Sequence, residues 1–192
     1  GVMLWKLNAA FPSVIWQIYD WYLEPNAGYY FMQNAIEPVH VQWNYDDSSV
    51  VVVNRSYAAK KNLTCSIEIF TPEGTSEVKQ LKKLDIDASS VRQVSSLKET
   101  LRETKGISFV LLNLRDDRGN PVSHNVYWLS AGDDFTSLKQ MPAARLETRV
   151  LGGEKSGTES KGNFEIRNRS SRMAFFINPQ LWNEKEEIMP TW

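Results

Sequence analysis

From residue 39 to residue 130 apolar and polar positions alternate with a period of two, the spacing of strands with one face turned inward. Val39, Val41, Trp43 and Tyr45 alternate with His40, Gln42 and Asn44, and Asp46-Asp47-Ser48 supplies turn chemistry. Val50 to Val53 is a β-branched run, Leu63 to Thr71 alternates again, and Pro72-Glu73-Gly74 reads as a hairpin turn. Val78 to Ile86, Val91 to Leu97, Ile107 to Leu114 and Val122 to Leu129 follow, the last two separated by Arg118-Gly119-Asn120-Pro121. These short strands have the count and spacing of an immunoglobulin-like β-sandwich over residues 39–135. Leu97 to Thr104 has mild helical character and is read as a loop or short turn.

The flanks read differently. Val2 to Leu7 is nearly all apolar, which suits a strand buried on both faces of a parallel sheet. Phe11-Pro12-Ser13 marks a turn, and Ile15 to Leu23 is dense in aromatic residues. Ala27 to Ile36 reads as a helix, with Asn26 as N-cap and Glu37-Pro38 as its end. A strand, a long loop and a helix form the repeating unit of a β/α barrel or doubly wound fold. After a linker over 131–145, Leu146 to Leu151, Asn163 to Asn168 and Met173 to Asn178 look like three further strands, with Gly152 to Gly162 as a loop. Three strands are too few to close a sandwich, so residues 142–192 are expected to be part of a second one. Both ends of the chain read as cuts through a folded unit.

Composition narrows the function classes. Lys and Arg number 22 against 23 Asp and Glu, for a formal net charge of −1. That balance predicts no nucleic-acid partner and no anionic membrane surface, which call for a basic excess. No apolar run reaches the length of a membrane span, and no basic n-region precedes the first apolar stretch. The single cysteine, Cys65, sits in an alternating segment and is expected to be a buried structural thiol. Seven Trp, seven Tyr and eight Phe suit either a dense β core or sugar binding. Asn54, Asn62 and Asn168 each open an N-x-S/T triplet.

Trp5-Lys6-Leu7-Asn8, Phe11-Pro12-Ser13, Trp16-Gln17 and Tyr19-Asp20 together resemble the W-x-L-N-x-x-W-P-S and W-Q-x-Y-D text of glycoside hydrolase family 2, with Phe11 in place of the usual Trp. The pattern is most similar to that of exo-β-D-glucosaminidases, mannosylglycoprotein endo-β-mannosidases and β-mannosidase-like members. Tyr29-Tyr30 through Gln42 resembles the final barrel helix and its exit, and Ser123, Asn125, Tyr127, Trp128 and Leu129 resemble the S-x-N-x-Y-W-L ending of the sandwich that follows. The resemblance implies a mainly β chain. Residues 1–38 would be the last strand and helix of a catalytic (β/α)8 barrel, 39–135 an immunoglobulin-like sandwich, and 142–192 a truncated second sandwich.

It also implies a retaining hydrolase acting on β-linked glucosamine or mannose, whose two catalytic carboxylates lie elsewhere in the parent and not in this chain. Barrel sites are built at the C-terminal ends of the strands. The resemblance therefore makes Trp5 an aromatic floor under the bound sugar and Asn8 a hydrogen-bonding partner; for Trp5 the plain alternative is core packing. Trp16 and Trp21 are expected to pack within the loop, and Asp20 to organise it through hydrogen bonds. His40 and His124, in alternating polar strand positions, are expected to be exposed and not metal ligands. Lys79, Lys82 and Lys83 read as a solvated strand face. No cofactor or metal is expected. The partners implied are the barrel domain and its carbohydrate substrate, and apolar residues 2–36 without a barrel are expected to self-associate. Export of the parent, periplasmic or secreted, is left open. The competing reading is a free-standing β-sandwich module that binds carbohydrate or protein, with residues 1–38 as a packed appendage.

Overall fold

The computed structural model describes residues 3–13, 17–103, 106–157 and 159–189. Its centre is a sandwich of seven antiparallel strands: β1 (Val39–Trp43), β2 (Ser49–Asn54), β3 (Lys60–Phe70), β4 (Ser76–Ile86), β5 (Ser90–Ser96), β6 (Ile107–Arg115) and β7 (Pro121–Ser130). One sheet has the order β1-β2-β5 and the other β4-β3-β6-β7. The strand segments are those expected from the period-two pattern. The stretch after β5 differs, since residues Lys98–Glu103 form a short helix, α2, with Leu97 wholly buried at its start.

The core lies between the inner faces of the two sheets. Val41, Val50 and Val52 from one face meet Cys65, Ile67, Ile69, Val110, Leu112 and Leu114 from the other, all fully buried. Burying each such aliphatic side chain contributes about 1.5–3 kcal/mol. Cys65 belongs to this layer as expected, and burial pushes its thiol up to about 11. Lys79, Lys82 and Lys83 of β4 are all exposed, but only Lys79 and Lys83 share the outer face; Lys82 pairs with Cys65 and lies on the other face at the sheet edge.

The two sheets are joined along one edge by side chains. In β1 the even-numbered residues face β2 in hydrogen-bonded pairs, bracketed by Arg55 N–H to Pro38 O (2.8 Å) and Asn44 N–H to Ser49 O (2.9 Å). The N–H and C=O groups of Val39, Val41 and Trp43 therefore point away from β2, towards β7 of the opposite sheet. There the alternating residues Ser123, Asn125 and Tyr127 take the place of a neighbouring strand. Ser123 Oγ accepts from Val41 N–H (3.1 Å), Asn125 Nδ2 donates to Val41 O (3.4 Å), and Tyr127 Oη accepts from Trp43 N–H (3.1 Å). Asn125 Nδ2 also reaches Tyr127 Oη at 2.9 Å.

This seam changes the picture of His40. The alternation predicts an exposed side chain, but His40 is only 4% exposed. It lies under β7, near Asn125 Nδ2 (3.4 Å), Ser123 Oγ (3.5 Å) and Glu37 Oε2 (3.4 Å). An edge strand overlaid by a strand of the other sheet is covered on both faces, which period-two patterning does not register. His124 is exposed, as expected.

Ahead of the sandwich, α1 (Ala27–Ala35) is the expected helix, with Asn26 at its N-cap position. The Asn26 side chain does not cap it; Nδ2 donates instead to the carbonyl of Gln17. Val2–Leu7 is not a strand over its described residues. Met3, Leu4, Trp5 and Leu7 are exposed and irregular, and among the described residues the neighbouring pairing is an isolated parallel bridge from Asn8 to Tyr19. A parallel strand needs flanking strands to satisfy its main chain, and among the described residues none lies beside it.

After the sandwich, two 3-10 turns at Ala131–Asp133 and Thr136–Gln140 lead into a long hairpin, β8 (Leu146–Ser156) with β9 (Glu159–Asn168). The Gly/Ser-rich stretch expected to be a loop is thus mostly ladder, with Glu154 opposite Lys161 and Lys155 opposite Ser160. Met173–Asn178 is not a strand. Its aromatic residues pack against the first sandwich, and a two-residue pairing of β10 (Leu181–Trp182) with β11 (Ile188–Met189) follows.

Replacing Tyr127 by Phe removes the oxygen that accepts from Trp43 and Asn125. It should lower stability by about 1–3 kcal/mol, the cost of a buried donor left unpaired. Chemical denaturation reads this as a lower midpoint at unchanged slope; a loss under about 0.5 kcal/mol would mean the seam does not carry the closure.

Turn carboxylates add a pH dependence. In the β6–β7 turn Asp116 accepts from Asn120 Nδ2 (2.9 Å), Asn120 N–H (2.8 Å) and Arg118 N–H (3.0 Å), which holds its carboxyl below the ordinary 3.8. Asp85, bound by Asn62 N–H, and Asp47, bound by Ser49, are lowered in the same way. A depressed folded value means stability that is present above pH 3.8 and lost as pH falls through the folded value. Melting temperature should hold level down to about pH 4 and then fall, and Asp116→Ala should reduce that acid-limb fall.

Candidate functional site

The described residues of the first glycosidase-like stretch, 3–13 and 17–26, are irregular and lie ahead of α1. Its fold comes from main-chain bonds between short, non-contiguous pieces. Tyr19 N–H donates to Leu7 O (3.0 Å), and Asn26 N–H donates to Ile18 O (3.0 Å). Asp20 N–H donates to Glu24 O (3.0 Å). Ala9, Gln17 and Ile18 are buried beneath it.

Asp20 is the organiser of the turn that follows, as expected. Its Oδ1 accepts from Tyr22 N–H (2.8 Å) and Glu24 N–H (2.9 Å), so one carboxylate oxygen holds a five-residue loop in which Leu23 takes φ +64°. Glu24 stands beside it, half-buried, with Oε1 buried and unpartnered among the described residues. Burial raises its carboxyl above the ordinary range, and the neighbouring Asp20 charge adds to the rise. Glu24 is a feature that sequence reading passed over, because only tertiary placement removes water from one of its oxygens.

Trp5 and Asn8 both lie on the open side of this segment. Trp5 is 78% exposed, so its ring is not packed into a core among the described residues. Its peptide bond to Lys6 is cis. Asn8 is exposed, and Nδ2 donates to the neighbouring Ala9 O at 3.3 Å. Met3, Leu4, Leu7, Phe11, Trp21 and Tyr22 of the same segment are also exposed, so it presents several large apolar side chains to solvent. Trp21 packs in the loop only in part, at 47% exposure, and Trp16 lies outside the described residues. The segment is seated on α1 through Tyr19, whose ring lies 5.3 Å from that of Tyr29.

Other candidates resolve into structural roles. A surface cleft of about 470 Å³ is lined by residues that include Asn62, Lys83, Asp85, Arg92, Asp116 and Asp117, and two of these carboxylates are engaged locally, Asp85 by Asn62 N–H and Asp116 by the β6–β7 turn. Asn54 opens an N-x-S triplet, yet its side chain is buried and Nδ2 donates to Ala58 O and Asp87 O, both at 2.9 Å. No group of three or more His, Cys, Asp or Glu could hold a metal ion among the described residues.

Comparison with known proteins places these features in a family context. Residues 125–192 match the family described as exo-β-D-glucosaminidase Ig-fold domain. An exo-β-D-glucosaminidase of Streptomyces avermitilis is 36% identical over 136 residues, covering 70% of this chain and 15% of that protein. One from Arthroderma benhamiae is 25% identical over 215 residues, covering 100% of this chain and 24% of that protein. The chain therefore spans less than a quarter of the length of these relatives. A solved structure of Amycolatopsis orientalis exo-chitosanase superposes on 86% of this chain and 22% of its own, with a TM-score of 0.74 and 24% identity, so the fold is the same.

Asp20→Ala should loosen residues 20–24 selectively. Hydrogen exchange at Tyr22 and Glu24 should speed by about tenfold, equivalent to ~1.4 kcal/mol of local stability, while the sandwich strands are unchanged. Asp20→Asn keeps an oxygen acceptor and should recover part of the protection. Equal exchange in wild type and Asp20→Ala would remove Asp20 from this role.

Proposed function

Since this chain carries an Ig-fold domain of the exo-β-D-glucosaminidase family, we propose that it is the C-terminal accessory part of a larger retaining glycoside hydrolase acting on β-linked glucosamine. The observation that carries this is the alignment of the whole chain, all three zones in order, with an exo-β-D-glucosaminidase about four times its length. In this reading residues 1–38 close the catalytic barrel of the parent, and the sandwich of β1 to β7 braces it from outside. The chain supplies one wall of the active site and no catalytic step. The acid/base and nucleophile, which retaining chemistry needs about 5–5.5 Å apart, belong to the rest of the barrel.

Trp5 and Asn8 act on the substrate side of that wall. The Trp5 ring stacks on the C–H face of the pyranose, and Asn8 hydrogen-bonds the sugar or the adjoining loop. An aromatic face on a rigid segment limits how the sugar can sit, which is the orientational contribution to catalysis. The exposure of Trp5 supports this: its ring is 78% exposed and has no aromatic ring partner among the described residues. In the parent enzyme Trp5→Ala should lower kcat/KM on PNP-β-D-glucosamine by about tenfold or more, ~1.4 kcal/mol of transition-state stabilisation, with Trp5→Phe intermediate. An unchanged kcat/KM would remove Trp5 from the site, and hydrolysis by the isolated chain would overturn the accessory reading.

The same apolar surface, covered by the barrel in the parent, is open in the isolated chain. Sedimentation should show concentration-dependent self-association, weakened by replacing Trp5, Leu7 and Phe11 with Ser. A chain that stays monomeric at high concentration would show that this surface does not drive association.

A further inference from the structure

The outer face of the four-stranded sheet carries an aromatic platform. Phe70, Phe109 and Trp128 sit side by side on β3, β6 and β7, paired Phe70 to Phe109 and Phe109 to Trp128. Phe109 is only 1% exposed although it points away from the inter-sheet core, because the C-terminal segment lies on it. Phe175 packs edge-on against Phe109 (4.8 Å between ring centroids) and against Trp128 (5.2 Å), and Phe176 meets Trp128 at 6.1 Å. From the other direction Phe31 of α1 meets the same Trp128 at 5.7 Å. A single indole ring therefore touches the helix that precedes the sandwich and the unit that follows it.

Two further contacts make these attachments directional. Arg55, just past β2, donates through Nη2 to Glu37 O (2.9 Å) and Ala35 O (3.2 Å), tying down the carbonyl end of α1. Gly74, in the β3–β4 turn at φ +88°, leaves only 3.1–3.2 Å between a would-be Cβ and the main chain at Met173 and Ser171, so the C-terminal segment seats against bare backbone. With Arg55 fixing one end of α1, the Phe31–Trp128 contact fixes its rotation, and Tyr29 on the same helix carries Tyr19 and the segment bearing Asn8.

We propose that Trp128 is a positioning residue that holds segment 3–26 through α1 and, on its other side, docks the C-terminal β unit, so that this unit and the substrate-facing wall share one joint. The link to the substrate rests on the function proposed above; the joint itself does not. The test is hydrogen exchange on the full 192-residue chain with four variants. Trp128→Ala should speed exchange in both 27–35 and 173–178 by about tenfold, and Trp128→Phe should restore both. Phe31→Ala should loosen α1 and residues 17–26 while 173–178 stays protected, and Phe176→Ala should do the reverse. Trp128→Ala affecting one side alone, or neither, would overturn the joint. If Trp128→Ala unfolds the chain, the opposite patterns of Phe31→Ala and Phe176→Ala sustain the proposal, and identical patterns overturn it. In the parent, Trp128→Ala should raise KM for PNP-β-D-glucosamine by about threefold with kcat little changed. A normal KM beside loosened exchange leaves the joint standing and breaks its link to the substrate, whereas the Trp5→Ala kinetics test the functional reading separately.

Discussion

The side-chain seam between β1 and β7 is the constraint on which the sandwich depends. An edge strand exposes a row of unpaired main-chain groups, and such a row must be blunted, covered or satisfied. Here Ser123, Asn125 and Tyr127 satisfy Val41 and Trp43 from across the sandwich, with Asn125 bonded in turn to Tyr127. The arrangement closes one side of the core without merging the two sheets. It also buries polar atoms that would each cost free energy if left alone, so the geometry tolerates little slippage of β7 along β1.

That register has consequences on the opposite face of β7. With Ser123, Asn125 and Tyr127 directed inward, Trp128 must point outward beside Phe109, where Phe31 and Phe175 reach it. The same strand thus seals the inter-sheet core with one set of side chains and carries its neighbours with the other. The S-x-N-x-Y-W run has a physical reading in these terms: three polar positions for closure, then one indole for attachment.

The flanking units differ from the sandwich in how much of their surface they bury for themselves. The β8–β9 hairpin has its main chain paired, yet Val150, Leu151 and Phe164 remain at least half exposed. Segment 3–26 is held by Asp20 and a few main-chain bonds, yet keeps most of its large apolar side chains in solvent. Local hydrogen bonding is complete enough to shape both, while the hydrophobic term that would bury them is missing within the chain. This contrast is what sets Trp5 and Asn8 apart as a surface and not a core.

Seven strands, their two-sided patterning, the buried Cys65 and helix α1 were all legible in the sequence, because alternation and helix punctuation are local properties of the chain. The loop-bonding role of Asp20 was suggested by its place in the W-Q-x-Y-D text, while its partners, the N–H groups of Tyr22 and Glu24, came only from the structure. What the sequence could not show is how elements meet. His40 is buried because β7 overlies β1, Asn26 turns from the helix to Gln17 because the loop folds back, and the Gly-rich stretch after Leu151 joins a ladder because β9 runs alongside it. Residues 3–7 carry a strand's composition but have no strand beside them among the described residues, and composition alone cannot supply the partner that a ladder requires. Trp128, Phe109 and Phe175 are ordinary aromatics in the sequence; only the tertiary structure, which brings residues far apart in the chain within ring contact, makes them a joint.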